Sequence, residues 1–85
     1  MSASAQVSVY PLRQPRLGPT VDAVRDALVA HGLAPQVGPM STLVSGETEE
    51  LFRALGAAFA AAAAAGEVVM TFTVSNACPV PREPA

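Results

Sequence analysis

The stretch VVMTFTVSNACP (68–79) holds no charged residue, and its first eight positions alternate strictly in character. Val68, Met70, Phe72 and Val74 fall on one side of an extended chain, and Val69, Thr71, Thr73 and Ser75 on the other. Such a period of two marks a strand with two unlike faces. A strand face turned to water normally carries Lys, Glu, Arg or Gln; this one carries mostly hydroxyls. The fold must therefore supply a sheet with one face on a core and the other neither ordinary solvent surface nor core.

The remaining elements follow from the same kind of pattern. In QVSVYPL (6–12), Val7 and Val9 alternate with Gln6, Ser8 and Tyr10, which predicts a first strand that stops near Pro11 because proline cannot donate to a ladder. Residues 1–5 are expected to be a flexible start. Gly18-Pro19-Thr20 opens a helix, with Pro tolerated in a first turn, and Gly32 stops it. Val21, Val24, Ala27 and Leu28 share one face of that helix. LAPQVGPM (33–40), broken by Pro35 and Pro39, is expected as a weak edge strand, joined through a turn at Gly38-Pro39 to STLVS (41–45).

Glu47, Glu49 and Glu50 then crowd the start of a second helix, where negative charge meets the positive end of the helix dipole. Leu51, Leu55 and Phe59 are expected to line its buried face, with Phe52 beside them. The alanine run 60–65 extends the helix at little cost, and Gly66 closes it. Phe59 and Phe72 are expected to meet between the second helix and the sheet. PVPREPA (79–85) is expected to be a disordered tail, leaving one domain over 6–78.

The order strand, helix, strand, strand, helix, strand, with two right-handed crossovers, predicts an α+β ferredoxin-like βαββαβ sandwich. Its four-stranded antiparallel sheet has strand order 4-1-3-2, with two helices on one face. Val7, Val9, Met70, Phe72 and Val74 then face the helices. Gln6, Ser8, Tyr10, Thr71, Thr73 and Ser75 share the open face. The third strand adds either Ser41 and Leu43 or Thr42 and Val44, and alternation does not choose between them.

Composition narrows the function. Five arginines, no lysine and a net charge of −2 give no basic patch for a phosphate backbone. Four aromatics without tryptophan make a poor stacking platform for single strands. Only 14% of residues are charged, against the usual ~25%, so part of the surface is expected to be covered by a partner. One cysteine, Cys78, excludes an internal disulfide and any CxxC site. The first ten residues lack the basic and apolar regions of a signal peptide, and no apolar run reaches the ~20 residues of a membrane span. A cytoplasmic protein is the expectation.

Two readings of the hydroxyl face compete. It is either an oligomer interface, for which a neutral face rich in β-formers suffices, or the floor of a site for a small, flat, polar ligand. Hydroxyls both donate and accept, which suits the nitrogens and amino groups of a heterocycle. The readings are compatible, since a second sheet can roof the site. A cysteine-dependent enzyme needs a base beside Cys78, and the single histidine, His31, falls at the end of the first helix. The three glutamates are more simply helix-terminal charges than a metal or acid–base cluster. No catalytic residue, metal or cofactor is expected.

Three blocks in register, VSVYPL (7–12), PMSTLVSGE (39–47) and VVMTFTVSNACP (68–79), resemble the YkoF-like family of thiamine- and hydroxymethylpyrimidine-binding proteins. The resemblance runs from Gln6 to Pro79. It implies a ferredoxin-like fold, sheets packed face to face in higher assemblies, and binding of the pyrimidine moiety of thiamine. The polar residues that match are Ser8 and Tyr10, Ser41 and Thr42, and Ser75 and Cys78. Joined to the residues of the open face, they give the candidate ligand set Ser8, Tyr10, Ser41, Thr42, Thr71, Thr73, Ser75 and Cys78. Some members carry two such domains in tandem, so a single-domain chain is expected to self-associate, as a dimer or tetramer, through its open sheet faces.

Overall fold

The computed structural model describes residues 1–13 and 15–77; Cys78 and the proline-rich segment 79–85 lie outside the described residues. The elements are β1 (Ser2–Pro11), α1 (Gly18–Ala30), β2 (Gln36–Val37), β3 (Thr42–Glu47), α2 (Thr48–Ala63) and β4 (Val68–Ser75). All strand pairs are antiparallel and the sheet order is β2-β3-β1-β4, the expected order read from its other edge. Two helices cover one face, so the ferredoxin-like sandwich expected from the pattern is the fold.

The buried residues of the sheet and helices show which face that is. Ala3, Ala5 and Val7 of β1 and Val44 of β3 meet Val24 and Leu28 of α1, and Leu51, Ala54, Leu55, Ala58 and Ala62 of α2. Burying these apolar groups is the main driving force available to a chain of this size, which removes only ~60–65% of its extended surface from water. Small residues on α2 and β1 let the layers approach closely, while Leu28 and Leu51 fill the space between them.

α1 ends as its sequence predicts. Gly32 takes φ 82°, a left-handed conformation that glycine adopts without a Cβ penalty. The N–H of Leu33 bonds the Leu28 carbonyl at 3.1 Å and that of Gly32 the Val29 carbonyl at 2.9 Å, which is a Schellman ending. His31 is the half-buried residue at this terminus, as expected. The hairpin turn also forms as expected, with the Gly38 N–H donating to the Ser41 carbonyl at 2.8 Å. Gly46 sits where an added Cβ would lie 2.8 Å from the Leu33 side chain, so a larger residue there would have to displace the end of that side chain.

Three expectations change. The first strand starts at Ser2 rather than Gln6, and residues expected to be a flexible start are paired with β3, from Ser2 opposite Glu47 to Ser4 opposite Ser45. Alanine carries little strand propensity, so Ala3 and Ala5 give no local signal, yet both are buried. β2 is only two residues long, because Pro35 and Pro39 bracket what can pair.

The third change concerns the aromatic side chains. The α2 face is rotated from the expected one, so that Ala54, Ala58 and Ala62 are buried and Phe59 is 46% exposed. Phe72 faces the helix layer, as the alternation requires, but it is 44% exposed and packs edge-on against Phe52, with ring centroids 6.3 Å apart, rather than against Phe59 in a core.

Candidate functional site

The register of the sheet assembles the open face row by row. Ser4 lies opposite Ser45 on β3 and Ser75 on β4; Gln6 lies opposite Leu43 and Thr73; Ser8 lies opposite Thr71; Tyr10 lies opposite Val69. Side chains of alternate residues share a face, so the two-fold period places all of these on the side away from the helices. The parity of β3, open from the pattern, is settled: Thr42 and Val44 are buried on the helix side, and Leu43 and Ser45 are on the open side.

The candidate residues therefore divide. Tyr10, Thr71, Thr73 and Ser75 lie on the open face with Ser8. Thr42 lies on the opposite side, 7% exposed, away from that face. Ser41 stands at the hairpin turn, where its hydroxyl accepts a bond from the Gln6 amide at 3.2 Å. Cys78 lies outside the described residues. Ser4 and Ser45 join the face although neither was a candidate. Ser4 was missed because it was counted with the flexible start, and Ser45 because its parity was undetermined.

Hydrogen bonding distinguishes the two halves of the face. On the β3 side the polar groups satisfy one another: the Ser4 and Ser45 hydroxyls are 2.9 Å apart, and Ser8 donates to the Met40 carbonyl at 3.4 Å. On the β4 side, Ser75 accepts from the Ala77 N–H at 3.0 Å, but the exposed hydroxyls of Thr71 and Thr73 have no partner among the described residues. The free hydroxyls of the face among the described residues are therefore those of Thr71 and Thr73, next to Gln6 and Ser8, and that of Tyr10. Tyr10, 49% exposed, stands at the same end.

A second concavity lies on the helix side. It is a cleft of about 60 Å³ between the start of α1 and the β2–β3 hairpin, where Leu17, Val21, Val37 and Met40 meet Ser8, Ser41 and Thr42. Since one water needs ~10–15 Å³, it has room for a few waters or one small group.

Among the described residues, charge lies at the margins of the open face. Glu47 has the parity of Ser45 and stands at its far corner, where its carboxylate accepts from the Met1 ammonium at 2.7 Å and from the Ser2 hydroxyl at 3.2 Å. These hydrogen bonds, the ammonium first, hold the Glu47 carboxyl below the usual carboxylate range. At the opposite end Arg13 pairs with Glu67. No group of three or more potential metal ligands occurs among the described residues. No helix among them is long and apolar enough to cross a membrane.

Comparisons with known proteins agree with this geometry. No curated protein matches the chain. Among solved structures, a protein from Streptococcus pneumoniae is 28% identical with a TM-score of 0.80, the match covering 88% of this chain and 86% of that one. A hypothetical protein from Methanocaldococcus jannascii, 18% identical, superposes with a TM-score of 0.82 over 94% of this chain and 84% of its own. A candidate thiamine biosynthesis/salvage protein from Thermotoga maritima, 21% identical, gives 0.75 over 87% and 82%. The last two establish shared fold alone. The sequence profile of the thiamine-binding protein family matches residues 5–76, from the second pair of the β1–β4 ladder to just past the end of β4, and the chain belongs to that family.

Proposed function

We propose that this protein binds thiamine, or its hydroxymethylpyrimidine moiety, noncovalently on the open face of the sheet, roofed there by another copy of the chain. The observation that carries this reading is the pair of unpartnered hydroxyls at Thr71 and Thr73, set in an uncharged face next to Gln6, Ser8 and Tyr10. An aminopyrimidine offers ring nitrogens that accept and an exocyclic amine that donates, and threonine hydroxyls do both. Tyr10 can flank the ring, where aromatic contact adds ~0.5–1.5 kcal/mol beyond area burial.

The pyrimidine carries the recognition because the carboxylates at the margins of the face, which could meet the positive thiazolium, are already paired with cations. Among the described residues two carboxylates stand at the margins of this face and each already holds a cation: Glu47, four residues along and two strands across from Thr73, roughly 15 Å or more, holds the Met1 ammonium, and Glu67, at the Tyr10 end, pairs with Arg13. Nothing in this arrangement supplies a nucleophile with its base, so the proposed role is binding, with the vitamin or its pyrimidine as ligand and no further cofactor. The alternative is a structural or regulatory module in which the same face is only an interface. The exposed Leu43 in the middle of the face favours cover by a second sheet under either reading.

Titration calorimetry with thiamine and with hydroxymethylpyrimidine tests this. Replacing Thr71 and Thr73 together by Val keeps shape and strand propensity but removes both hydroxyls. At ~0.5–1.5 kcal/mol per lost bond, affinity should fall by about five- to 150-fold. Thr42→Val, on the helix side, should leave affinity unchanged. If Thr42→Val weakens binding and the double variant does not, the ligand sits in the cleft under α1. Absence of binding by the wild type at millimolar ligand leaves the interface-only alternative.

A further inference from the structure

One row of the open face crosses every strand of the sheet. Gln36 of β2 lies opposite Leu43 of β3, Leu43 opposite Gln6 of β1, and Gln6 opposite Thr73 of β4. Neighbouring strands stand ~4.8 Å apart, so the row runs about 10 Å from Thr73 to Leu43 and about 14 Å to Gln36. Its character changes on the way. The β4 end carries the free hydroxyls of Thr73 and its neighbour Thr71, and the β3 end carries an exposed leucine.

Beyond Leu43 the face dips. A hollow of about 380 Å³ opens on the flank of the β2–β3 hairpin, lined by Gln36, Val37, Pro39, Met40, Ser41 and Leu43. Small-molecule sites have volumes of ~300–1,000 Å³, so it is large enough to hold part of a ligand. Its wall is mostly apolar: Val37 and Leu43 are each about half exposed, and Met40 is 87% exposed. Apolar groups gathered at one place and rimmed by polar ones mark a binding surface more than scattered ones do. Two polar groups stand on this rim, the Gln36 amide and the Ser41 hydroxyl. The latter accepts from the Gln6 amide at 3.2 Å and so joins the hollow to the row.

We propose that this hollow is the subsite for the second ring of thiamine. The pyrimidine lies at Thr71 and Thr73, and the thiazolium lies over Leu43 with its hydroxyethyl arm in the hollow beside Gln36. The inference rests on the binding reading above and adds to it a second contact region and a choice between forms of the vitamin. The two rings are joined through a single carbon. A ring attached to a pyrimidine over Thr73 and Gln6 therefore falls one strand spacing farther along the row, onto Leu43. Leu43 gives it an apolar seat, and the Met40 thioether, unbranched and polarizable, adapts to its aromatic edge. The hydroxyl that ends the arm meets the Gln36 amide, which both donates and accepts.

Charge then selects among forms. Among the described residues no arginine, histidine or carboxylate lines the hollow. The chain as a whole carries a net charge of −2. A neutral wall on a negatively charged protein admits a delocalised cation and opposes an anion. A phosphate on the hydroxyethyl arm brings about two negative charges into the hollow, with no cation to receive them. The subsite is one for the unphosphorylated vitamin.

The intact chain is titrated calorimetrically with thiamine, hydroxymethylpyrimidine and thiamine diphosphate. Wild type should bind thiamine roughly five- to 30-fold more tightly than hydroxymethylpyrimidine, and should bind the diphosphate more weakly than thiamine. Met40→Ser leaves in place the backbone carbonyl that Ser8 bonds, and Leu43→Ser changes a half-exposed side chain, so both should keep the circular dichroism of the fold. Each should weaken thiamine by roughly two- to twelvefold while moving hydroxymethylpyrimidine by less than about twofold. The Thr71 and Thr73 double variant should weaken both ligands. If light scattering shows that Leu43→Ser alters the assembly, Met40→Ser decides. Equal wild-type affinities for thiamine and hydroxymethylpyrimidine would overturn the second-ring subsite and leave the binding reading standing. So would diphosphate binding as tight as that of thiamine, or hairpin variants that weaken both ligands alike or neither. Wild-type binding of neither thiamine nor hydroxymethylpyrimidine would overturn both.

Discussion

β1 and β4 lie side by side, carry the same two-residue alternation, and end very differently. On β1 the inner residues Ala3, Ala5 and Val7 are 2–3% exposed and only Val9, near the strand's end, is half-buried, whereas on β4 Phe72 is 44% exposed and Val68, Met70 and Val74 are all half-buried. The strands differ in place, not in pattern. β1 is central, with β3 and β4 on either side and both helices above; β4 is an edge reached only by the flank of α2. Alternation reports which face a side chain joins, and position in the sheet decides how deep it goes.

The largest test of that difference puts a charge on each inner face. Val7→Asp would set a carboxylate in the buried apolar cluster with no counter-charge, and an unpaired buried charge costs more than ~4 kcal/mol. A domain of this size has only ~4–13 kcal/mol in total, so the variant should be largely unfolded by circular dichroism. Val74→Asp, on the edge strand, should remain folded. A well-folded Val7→Asp protein with a sharp thermal transition would mean that the centre of the sheet is not the core.

A smaller effect is expected at the aromatic edge. Fully buried Phe→Ala changes cost ~3–5 kcal/mol. With nearly half its surface exposed and one ring partner, Phe72→Ala should cost about 1–2 kcal/mol, read from urea unfolding at a concentration low enough for separated chains. A cost of 3 kcal/mol or more in the dilute state would return Phe72 to a core role.

What could be read from residues follows the same division. Fold class, strand order and both helix boundaries were legible because they depend on period, glycine and proline, which act locally. The open face was legible at Gln6, Ser8, Tyr10, Thr71, Thr73 and Ser75 for the same reason. Ala3 and Ala5 were not, since alanine has no strand signature and is buried here only by what lies above it. Phe59 was misplaced because the alanines of α2 can be buried as readily as its phenylalanine, and layer spacing chose the smaller residues. Thr42 entered the candidate set through family resemblance, whose short blocks say nothing of parity; the pairing of Val7 with Thr42 puts both on the inner face.

The smallest effect belongs to the end of β1 that carries no strand signal. There Glu47 accepts from the Met1 ammonium and the Ser2 hydroxyl, and Thr48 donates to the Met1 carbonyl at 2.7 Å. The Glu47 carboxyl is lowered from its ordinary value, so its contribution is present above the unfolded carboxylate range and disappears as pH falls through the lowered folded value. The carboxylate and the ammonium are both well exposed, where solvent screens such pairs to little net worth. Glu47→Gln should therefore lower the melting temperature at pH 7 by less than ~4 °C, and the gap from wild type should close at acid pH. Ala3 and Ala5, buried against the helices, then hold this end in place. A larger drop at pH 7 that vanishes in acid would show instead that charge, and not burial, fastens the start of β1 to the sheet.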